Sequence, residues 1–162
     1  MNKLKVYVAG SWKNKDIIKG IMGKIEEWEY EVPFNWTDTE KGDTKQYALE
    51  DIKGLNECNC LIYCMDGTKS RGKNFELGYA TALNKPIAIY VFSVDNILNA
   101  IREISADPNN LSMNDILDAA ISNECVFIRA KMYPIFHSIE ELKLWLDDLD
   151  LRIFLSNIKI DN

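Results

Sequence analysis

Glu76 is the residue best placed for chemistry, because it follows a loop rich in hydrogen-bond donors. The loop covers residues 66–73 and contains Ser70, Gly72 and three cations, Lys69, Arg71 and Lys73. Hydroxyl, amide and ammonium donors in a row are typical of an anion-binding loop, and a carboxylate beside them can act as a nucleophile. A carboxylate in the first turn of a helix is also stabilised by the helix dipole, by about 0.3–1 kcal/mol. The spacing alone therefore leaves a structural and a catalytic interpretation of Glu76 open.

Further positions could assist such a carboxylate, although each has an ordinary structural explanation. Asp51 belongs to a predicted helix, where the pair Glu50-Asp51 is typical of a solvated surface. Tyr7 lies within a strand-like run, where a tyrosine usually belongs to the core. Gly10 and Ser11 follow the same run and indicate a tight turn. None of these residues indicates a function by itself.

Common nucleotide-binding, hydrolase and metal motifs are absent from the sequence. Gly10 is followed by Ser11-Trp12-Lys13, so the dinucleotide fingerprint G-x-G-x-x-G fails, and neither G-x4-G-K-[ST] nor G-x-S-x-G occurs. The C-x2-C spacing of zinc sites is also missing, and His137 is the only histidine. We therefore expect no metal and no cofactor. We expect three of the cysteine thiols to be buried on one face of a strand, namely Cys58, Cys60 and Cys64.

Composition and charge limit the class of protein. The 162 residues carry a formal net charge of −6, and no basic stripe offers a surface for a nucleic-acid polymer. A single cationic loop can still bind a small anion. The N-terminus leads into a strand without a signal-peptide core, and no apolar segment approaches membrane-spanning length. We expect one domain over residues 1–162, located in the cytoplasm and without a membrane partner.

The apolar pattern alternates between strands and helices. Strands are predicted at residues 4–9, 30–34, 60–65, 87–92 and 125–129. Helices are predicted at residues 16–28, 47–55, 75–83, 97–104, 113–121 and 138–149. The weakly alternating residues 151–160 indicate an edge strand or a contact with a partner. This order predicts a five-stranded, mainly parallel α/β sheet with helices on both faces, and a ligand crevice where the first and third strands end.

Two of these helices carry further local signals. In the helix of Glu76, apolar residues recur at Phe75, Tyr79 and Leu83, which predicts its buried face. Gly78 lies in the same helix at a cost of about 1 kcal/mol relative to alanine, which indicates a close approach to the backbone. Ser138 and Glu141 form a capping-box pattern at the start of the last helix.

Four stretches together resemble the nucleoside 2-deoxyribosyltransferase family, including its 2′-deoxynucleoside 5′-phosphate N-hydrolase branch. They are VYVAGSW at 6–12, LEDIKGLNECNCLIYCMDG at 49–67, SRGKNFELGYATALNKPIAIY at 70–90 and FHSIEELKLWL at 136–146. The segment S-x-G-x-x-x-E-L-G-x-A is the most specific of these patterns, and it occurs in register with the other three.

The resemblance implies a flavodoxin-like doubly wound sheet, assembled as a homodimer or higher oligomer that completes the active sites. It also implies that Glu76 is the nucleophile that attacks C1′ of the sugar. Asp51 would orient the sugar or handle the proton of the base, and Tyr7 would hydrogen-bond near the nucleophile. The resemblance further implies that Ser11 and Ser70 line the sugar and its 5′ end. From these two loops we expect six residues to bind the substrate, namely Gly10, Ser11, Trp12, Lys13, Ser70 and Gly72.

The residue six positions before the glutamate separates the branches of the family. Transferases that act on free nucleosides commonly have an aspartate there, whereas the monophosphate hydrolases have a serine. Ser70 therefore favours a (deoxy)nucleoside 5′-monophosphate as substrate. The hydrolases have an arginine after the first glycine-serine, where this sequence has Trp12-Lys13. An aromatic residue there is closer to the transferases. Three alternatives to the hydrolysis of monophosphates stay open. They are the exchange of bases between nucleosides, the glycohydrolysis of a dinucleotide such as NAD, and a non-catalytic nucleotide sensor.

Overall fold

The computed structural model of the protein describes residues 3–39, 44–67, 70–92, 128 and 133–157. Its strands are β1 (Val6–Ala9), β2 (Cys60–Met65), β3 (Ile87–Val91) and β4 (Ile135–Phe136). Its α-helices, numbered over the described residues, are α1 (Lys15–Glu27), α2 (Thr44–Glu57), α3 (Arg71–Ala82) and α4 (Ile139–Asn157). Two single turns of 3₁₀-helix lie at Trp12–Asn14 and Trp36–Asp38.

The strands form one parallel sheet in the order β1-β2-β3-β4. Val6 pairs with Cys60 in the register of β1 on β2, and Leu61 pairs with Ile87 in the register of β2 on β3. Every residue of β1, β2 and β3 is buried, because helices cover both faces of a parallel sheet. The structure confirms the predicted fold class.

The strand predicted at residues 30–34 is reduced to one bridge, between Lys5 and Glu31. The Val6 amide donates to the Glu31 carbonyl, whereas the Lys5 carbonyl accepts from the amides of Asn59 and Cys60 on the opposite edge of the strand. The chain therefore passes beyond β1 after α1 and returns across it to form β2. This reversal produces the switch point at which α/β sheets bind ligands.

Two apolar cores lie on the two faces of the sheet. One core joins β1, β2 and β3 to α2 and α3 through residues such as Leu55, Leu77 and Ala80. The other joins the opposite face of the same strands to α1 and α4 through residues such as Ile18, Ile25 and Leu146. Because α1 and α2 lie on different faces, the sheet is doubly wound and a crevice opens where β1 ends.

The face that α3 buries is not the one predicted from its apolar residues. Phe75 is 54% exposed and Leu83 is 38% exposed, whereas Lys73, Glu76 and Leu77 are buried. The helix is turned in this way because its polar residues line the crevice, which an apolar periodicity does not register. An added Cβ at Gly78 would meet no atom within 4 Å, so the close approach predicted there is not found.

The remaining sequence predictions differ in outcome. The capping box is confirmed, since the Glu141 amide donates to Ser138 Oγ over 3.1 Å and the Ser138 amide donates to Glu141 Oε2 over 3.3 Å. The edge strand predicted at 151–160 is wrong as far as residue 157, because α4 continues to that point. The helices predicted at 97–104 and 113–121 lie outside the described residues. Of the strand predicted at 125–129 only Ile128 is described, and it is helical and buried.

The cysteines are buried as expected, but they do not share one face. Cys60 and Cys64 pack in the core that contains α1 and α4, whereas Cys58 precedes β2 and packs in the other core. All three are free thiols. Within the described ranges, no group of residues has the geometry of a metal site, and none of the helices there is both long and apolar enough to cross a bilayer.

Candidate functional site

A cleft of about 470 Å³ opens where β1 and β2 end, a size typical of small-molecule sites. Its walls come from the β1–α1 loop, the segment around Trp36, helix α2 and the start of α3. The residues that line it are Gly10, Trp12, Trp36, Thr39, Thr44, Tyr47, Asp51, Ser70, Gly72, Lys73 and Glu76. The crevice therefore lies where the strand order predicted it.

Three of the predicted site residues meet at the cleft. The hydroxyl oxygen of Tyr7 lies 2.9 Å from Asp51 Oδ1 and 3.1 Å from Glu76 Oε1. Tyr7 reaches this position from the middle of β1, whereas Asp51 and Glu76 come from α2 and α3, which pack on the same face of the sheet. Residues separated by up to 69 positions in the chain are thus joined through one hydroxyl group.

The carboxyl group of Glu76 is held in an environment that disfavours its charge. Burial and then the charge of Asp51 raise the pKa of Glu76 to about 8, although the hydrogen bond from Tyr7 and the Lys73 ammonium act in the opposite direction. Among the described residues, Glu76 Oε2 is a buried side-chain oxygen without a hydrogen-bond partner. An unsatisfied acceptor in a cleft is a candidate for contact with a ligand.

Tyr7 is fixed by close packing on its other side. An added Cβ at Gly54 of α2 would lie 3.0 Å from Tyr7 Cε2 and 2.8 Å from Phe34 Cβ, so α2 approaches the ring closely only because this position is glycine. Burial and the nearby carboxylates raise the pKa of Tyr7 far above its usual value. The hydroxyl is therefore protonated throughout the physiological range, and it acts as a hydrogen-bond donor.

A second polar network lies beneath the cleft, and the sequence did not predict it. Asp66, the first residue of the predicted loop at 66–73, is buried and accepts hydrogen bonds from Ser11 Oγ over 2.8 Å and from Asn14 Nδ2. The Lys73 ammonium lies 3.3 Å from Asp66 Oδ1 and donates to the Cys64 carbonyl over 3.3 Å. This network ties the end of β2 to the β1–α1 loop.

Lys73 therefore differs from the cationic loop residue expected from the sequence. Its side chain is wholly buried, and its ammonium lies 4.7 Å from the centroid of the Tyr63 ring. Asp66, the Cys64 carbonyl and this ring all lie beside the ammonium. Lys73 thus forms a buried ion pair with Asp66 beneath the cleft.

Ser70 and Gly72 lie at the mouth of the cleft, at the N-terminus of α3. Ser70 Oγ accepts a hydrogen bond from the Lys73 amide, so it caps the helix. The Ser70 hydroxyl proton is not required for this bond, and the first turn of α3 contributes a partial positive charge. This part of the cleft lining suits an anion.

The β1–α1 loop divides into residues that reach the cleft and residues that do not. Gly10 and Trp12 line it. The Ser11 side chain instead donates to Asp66, and Lys13 is exposed and is not part of the lining.

Trp36, which the sequence did not single out, packs beside Trp12 with ring centroids 6.1 Å apart. Its indole nitrogen donates to the Val8 carbonyl over 2.8 Å. The two indoles form an aromatic wall suited to a planar base.

Comparison with known proteins gives one match to a family. A family model described as nucleoside 2-deoxyribosyltransferase matches residues 6–140. No curated protein matches the sequence significantly. Among solved structures, the chain is similar to the CMP N-glycosidase of Clostridium botulinum, with 21% identity and a TM-score of 0.48 over 91% of this chain and 98% of that chain. At this level of similarity the match identifies neither a substrate nor a reaction for this chain.

Proposed function

Because the chain belongs to the nucleoside 2-deoxyribosyltransferase family, whose enzymes act on N-glycosidic bonds, we propose that it hydrolyses (deoxy)nucleoside 5′-monophosphates. The products are the free base and a sugar phosphate. The reaction proceeds through a covalent bond between Glu76 and C1′ of the sugar. No cofactor takes part in this chemistry.

The observation that carries the proposal is the environment of the Glu76 carboxyl group. One of its oxygens contacts the Tyr7 hydroxyl over 3.1 Å, and the other is buried at the cleft without a partner in the described part of the chain. Cleavage of a glycosidic bond develops positive charge at C1′, which an adjacent carboxylate stabilises and then captures. The structural interpretation placed Glu76 in the first turn of its helix, but α3 begins at Arg71 and Glu76 lies beyond that turn. Because the effect of the helix dipole falls off within the first turn, it does not explain why Glu76 is buried.

Asp51 supports the departure of the base. It lines the same cleft and contacts the same tyrosine as Glu76. Burial raises the pKa of Asp51, and the hydrogen bond from Tyr7 acts in the opposite direction. A carboxyl group with a raised pKa is suited to protonate the leaving base and to deprotonate the water that follows.

Two parts of the cleft lining favour a nucleotide. Ser70 and the first turn of α3 offer a hydroxyl donor and a partial positive charge. Trp12 and Trp36 offer an aromatic wall. A 5′-phosphate at Ser70 and a base against the indoles would place C1′ between them, beside Glu76.

The assembly and location of the enzyme belong to the same proposal. We propose a single catalytic domain that functions in the cytoplasm as a homodimer or higher oligomer. Support for self-association comes from the apolar ring of Phe75, which is 54% exposed on α3 and stacks on the partly buried ring of Tyr79 with centroids 5.9 Å apart. Light scattering of the purified protein tests the oligomer, and a monomeric mass would contradict it.

The experiment that tests the function is a panel of substrates with the purified enzyme. Deoxyribo- and ribonucleoside 5′-monophosphates, the corresponding free nucleosides and NAD are each incubated with and without an acceptor base. Release of base from monophosphates without an acceptor supports the proposal. Exchange that requires an acceptor identifies a transferase instead, and release of nicotinamide identifies a dinucleotide glycohydrolase. Thermal stabilisation by nucleotides without turnover identifies a sensor.

A further inference from the structure

One hydroxyl group contacts two carboxyl groups at the cleft, those of Asp51 and Glu76. If both carboxyl groups were ionised, the Tyr7 hydroxyl would supply the one proton for these two contacts. The single Tyr7 hydroxyl lies 2.9 Å from Asp51 Oδ1 and 3.1 Å from Glu76 Oε1. Its one proton can occupy only one of these contacts. If both carboxyl groups were ionised, oxygen lone pairs would face each other across the second contact in a buried site, which is costly. One of the two carboxyl groups must therefore carry a proton.

The structure indicates that this proton resides on Glu76 when the cleft is empty. Glu76 Oε2 is buried without a partner, and an orphaned oxygen is less costly on a neutral carboxyl group than on a carboxylate. Burial also raises the pKa of Glu76 to about 8. Asp51 is only partly buried and can stay ionised. Glu76 then donates to the Tyr7 oxygen, and Tyr7 donates to Asp51.

A protonated Glu76 cannot attack C1′, so the proton must leave before the chemistry. We propose that Tyr7 conducts this proton from Glu76 to Asp51 when substrate binds. The inference rests on the proposed function and adds to it a path for the proton. The Glu76 O–H bond breaks as a bond to the Tyr7 oxygen forms, and the original Tyr7 O–H bond breaks as a bond to Asp51 Oδ1 forms. Negative charge moves from Asp51 to Glu76, and Tyr7 ends as a neutral hydroxyl.

The same path closes the catalytic cycle. The Glu76 carboxylate forms a bond to C1′, the C1′–N bond breaks, and its electron pair leaves with the base, which takes the proton from Asp51. Water then loses a proton to Asp51 while its oxygen attacks C1′ and releases Glu76 as a carboxylate. Return of the proton through Tyr7 restores neutral Glu76 and ionised Asp51. No proton has to enter from solvent apart from those of the water molecule.

Other titratable groups face this triad and set the pH at which it functions. Lys73 of α3 favours the charge of Glu76, and Glu50 of α2 opposes the charge of Asp51. The Cys64 thiol on β2 interacts with Glu76, and burial raises the pKa of this thiol, so it stays neutral. Tyr47 of α2 lines the same cleft. Since Asp51 and Glu76 interact through Tyr7, we expect them to titrate as one unit.

The first test is carbon NMR titration of the free enzyme with labelled carboxyl groups, which does not depend on turnover. We expect the pair to retain one proton until about pH 8, with signals of both Glu76 and Asp51 moving in that step. In Asp51→Asn we expect the acid dissociation constant of Glu76 to rise about tenfold or more, because the like charge is gone. Independent titration of Glu76, unchanged in Asp51→Asn, would overturn the proposal.

The second test is the rate of base release with the most active nucleotide. The reactive form holds one shared proton, so we expect kcat/KM to fall as pH rises through about 8. We also measure how the rate depends on the fraction of D₂O in the solvent. We expect this dependence to fit two transferred protons in the parent and one in Tyr7→Phe. A rate that rises through this pH range, or a dependence that fits one transferred proton in the parent, would overturn the relay. If no nucleotide is cleaved, the proposed function fails, and the titration still decides whether the proton is shared.

Discussion

The Lys73 ammonium lies 3.3 Å from the Asp66 carboxylate, and both side chains are wholly buried beneath the cleft. The Cys64 carbonyl and the Tyr63 ring also lie beside the ammonium, and Ser11 donates to the other oxygen of Asp66. A buried ion pair of this kind contributes little net stability compared with an apolar pair. Loss of one partner is costly, because the other charge then stays buried without the opposite charge beside it.

We therefore expect Lys73→Met to lower the free energy of unfolding by about 3–5 kcal/mol, measured by urea denaturation. The matched control is Lys53→Met, because Lys53 pairs with Glu57 at 3.9 Å on an exposed face of α2. Exposed pairs of this type contribute about 0.5 kcal/mol or less. Equal effects of the two substitutions would contradict the buried pair as a determinant of the site.

Gly54→Ala tests whether α2 must approach Tyr7 closely. The added Cβ would lie 3.0 Å from the Tyr7 ring and 2.8 Å from Phe34, so we expect a loss of about 1–3 kcal/mol in stability and slower base release. Gly23→Ala is the control in α1, where an added Cβ meets no atom within 4 Å and should stabilise by up to about 1 kcal/mol. Unchanged activity in Gly54→Ala would show that the position of Tyr7 does not depend on this contact.

Ser70→Asp separates helix capping from phosphate binding. Aspartate caps a helix as well as serine does, so we expect an unchanged melting temperature. Its charge opposes a phosphate, so we expect KM for monophosphates to rise about tenfold or more while KM for free nucleosides does not rise. Ser70→Asn caps without the charge and is the matched control. Equal changes in KM for both substrate classes would argue against a phosphate at this position.

Glu76→Gln should change how stability depends on pH. Because the folded pKa of Glu76 is raised from 4.5 to about 8, its neutral form favours folding at low pH, and this contribution is lost as pH rises from about 4.5 through 8. Relative to the parent, Glu76→Gln should therefore gain stability between pH 5 and pH 9, by at most about 4 kcal/mol. Parallel stability curves for the two proteins across this range would contradict a raised pKa.

Strand and helix periodicity predicted the parallel sheet and the position of the cleft, because these depend on continuous apolar runs and their order. Periodicity assigned the wrong face to α3, where Phe75 is exposed and Glu76 is buried. A helix that lines a ligand site buries polar residues, so its apolar stripe no longer marks the side that faces the sheet. The apolar pattern also predicted a strand at residues 30–34, where the structure has a single bridge between Lys5 and Glu31.

The resemblance to a known family selected Tyr7, Asp51 and Glu76, which the structure brings together through one hydroxyl group. Sequence alone did not distinguish Ser11 from Ser70, although only Ser70 lines the cleft. Asp66 and Lys73 bound the loop predicted at 66–73, and nothing in their local sequence indicates that their side chains are buried and paired with each other. Such contacts depend on the three-dimensional packing of β2 against α3.

The central claim is that Glu76 forms a covalent bond to the sugar, and trapping that bond tests it most directly. The enzyme is mixed with the best nucleotide of the panel, quenched in acid and analysed by peptide mass spectrometry. We predict a sugar-phosphate adduct on Glu76 that is absent in Glu76→Gln, and base release by this variant should fall about a thousandfold or more. The control is Glu26→Gln, which changes an exposed residue of α1 and should keep the adduct on Glu76. An adduct on another residue, or base release by Glu76→Gln at the parent rate, would contradict the account.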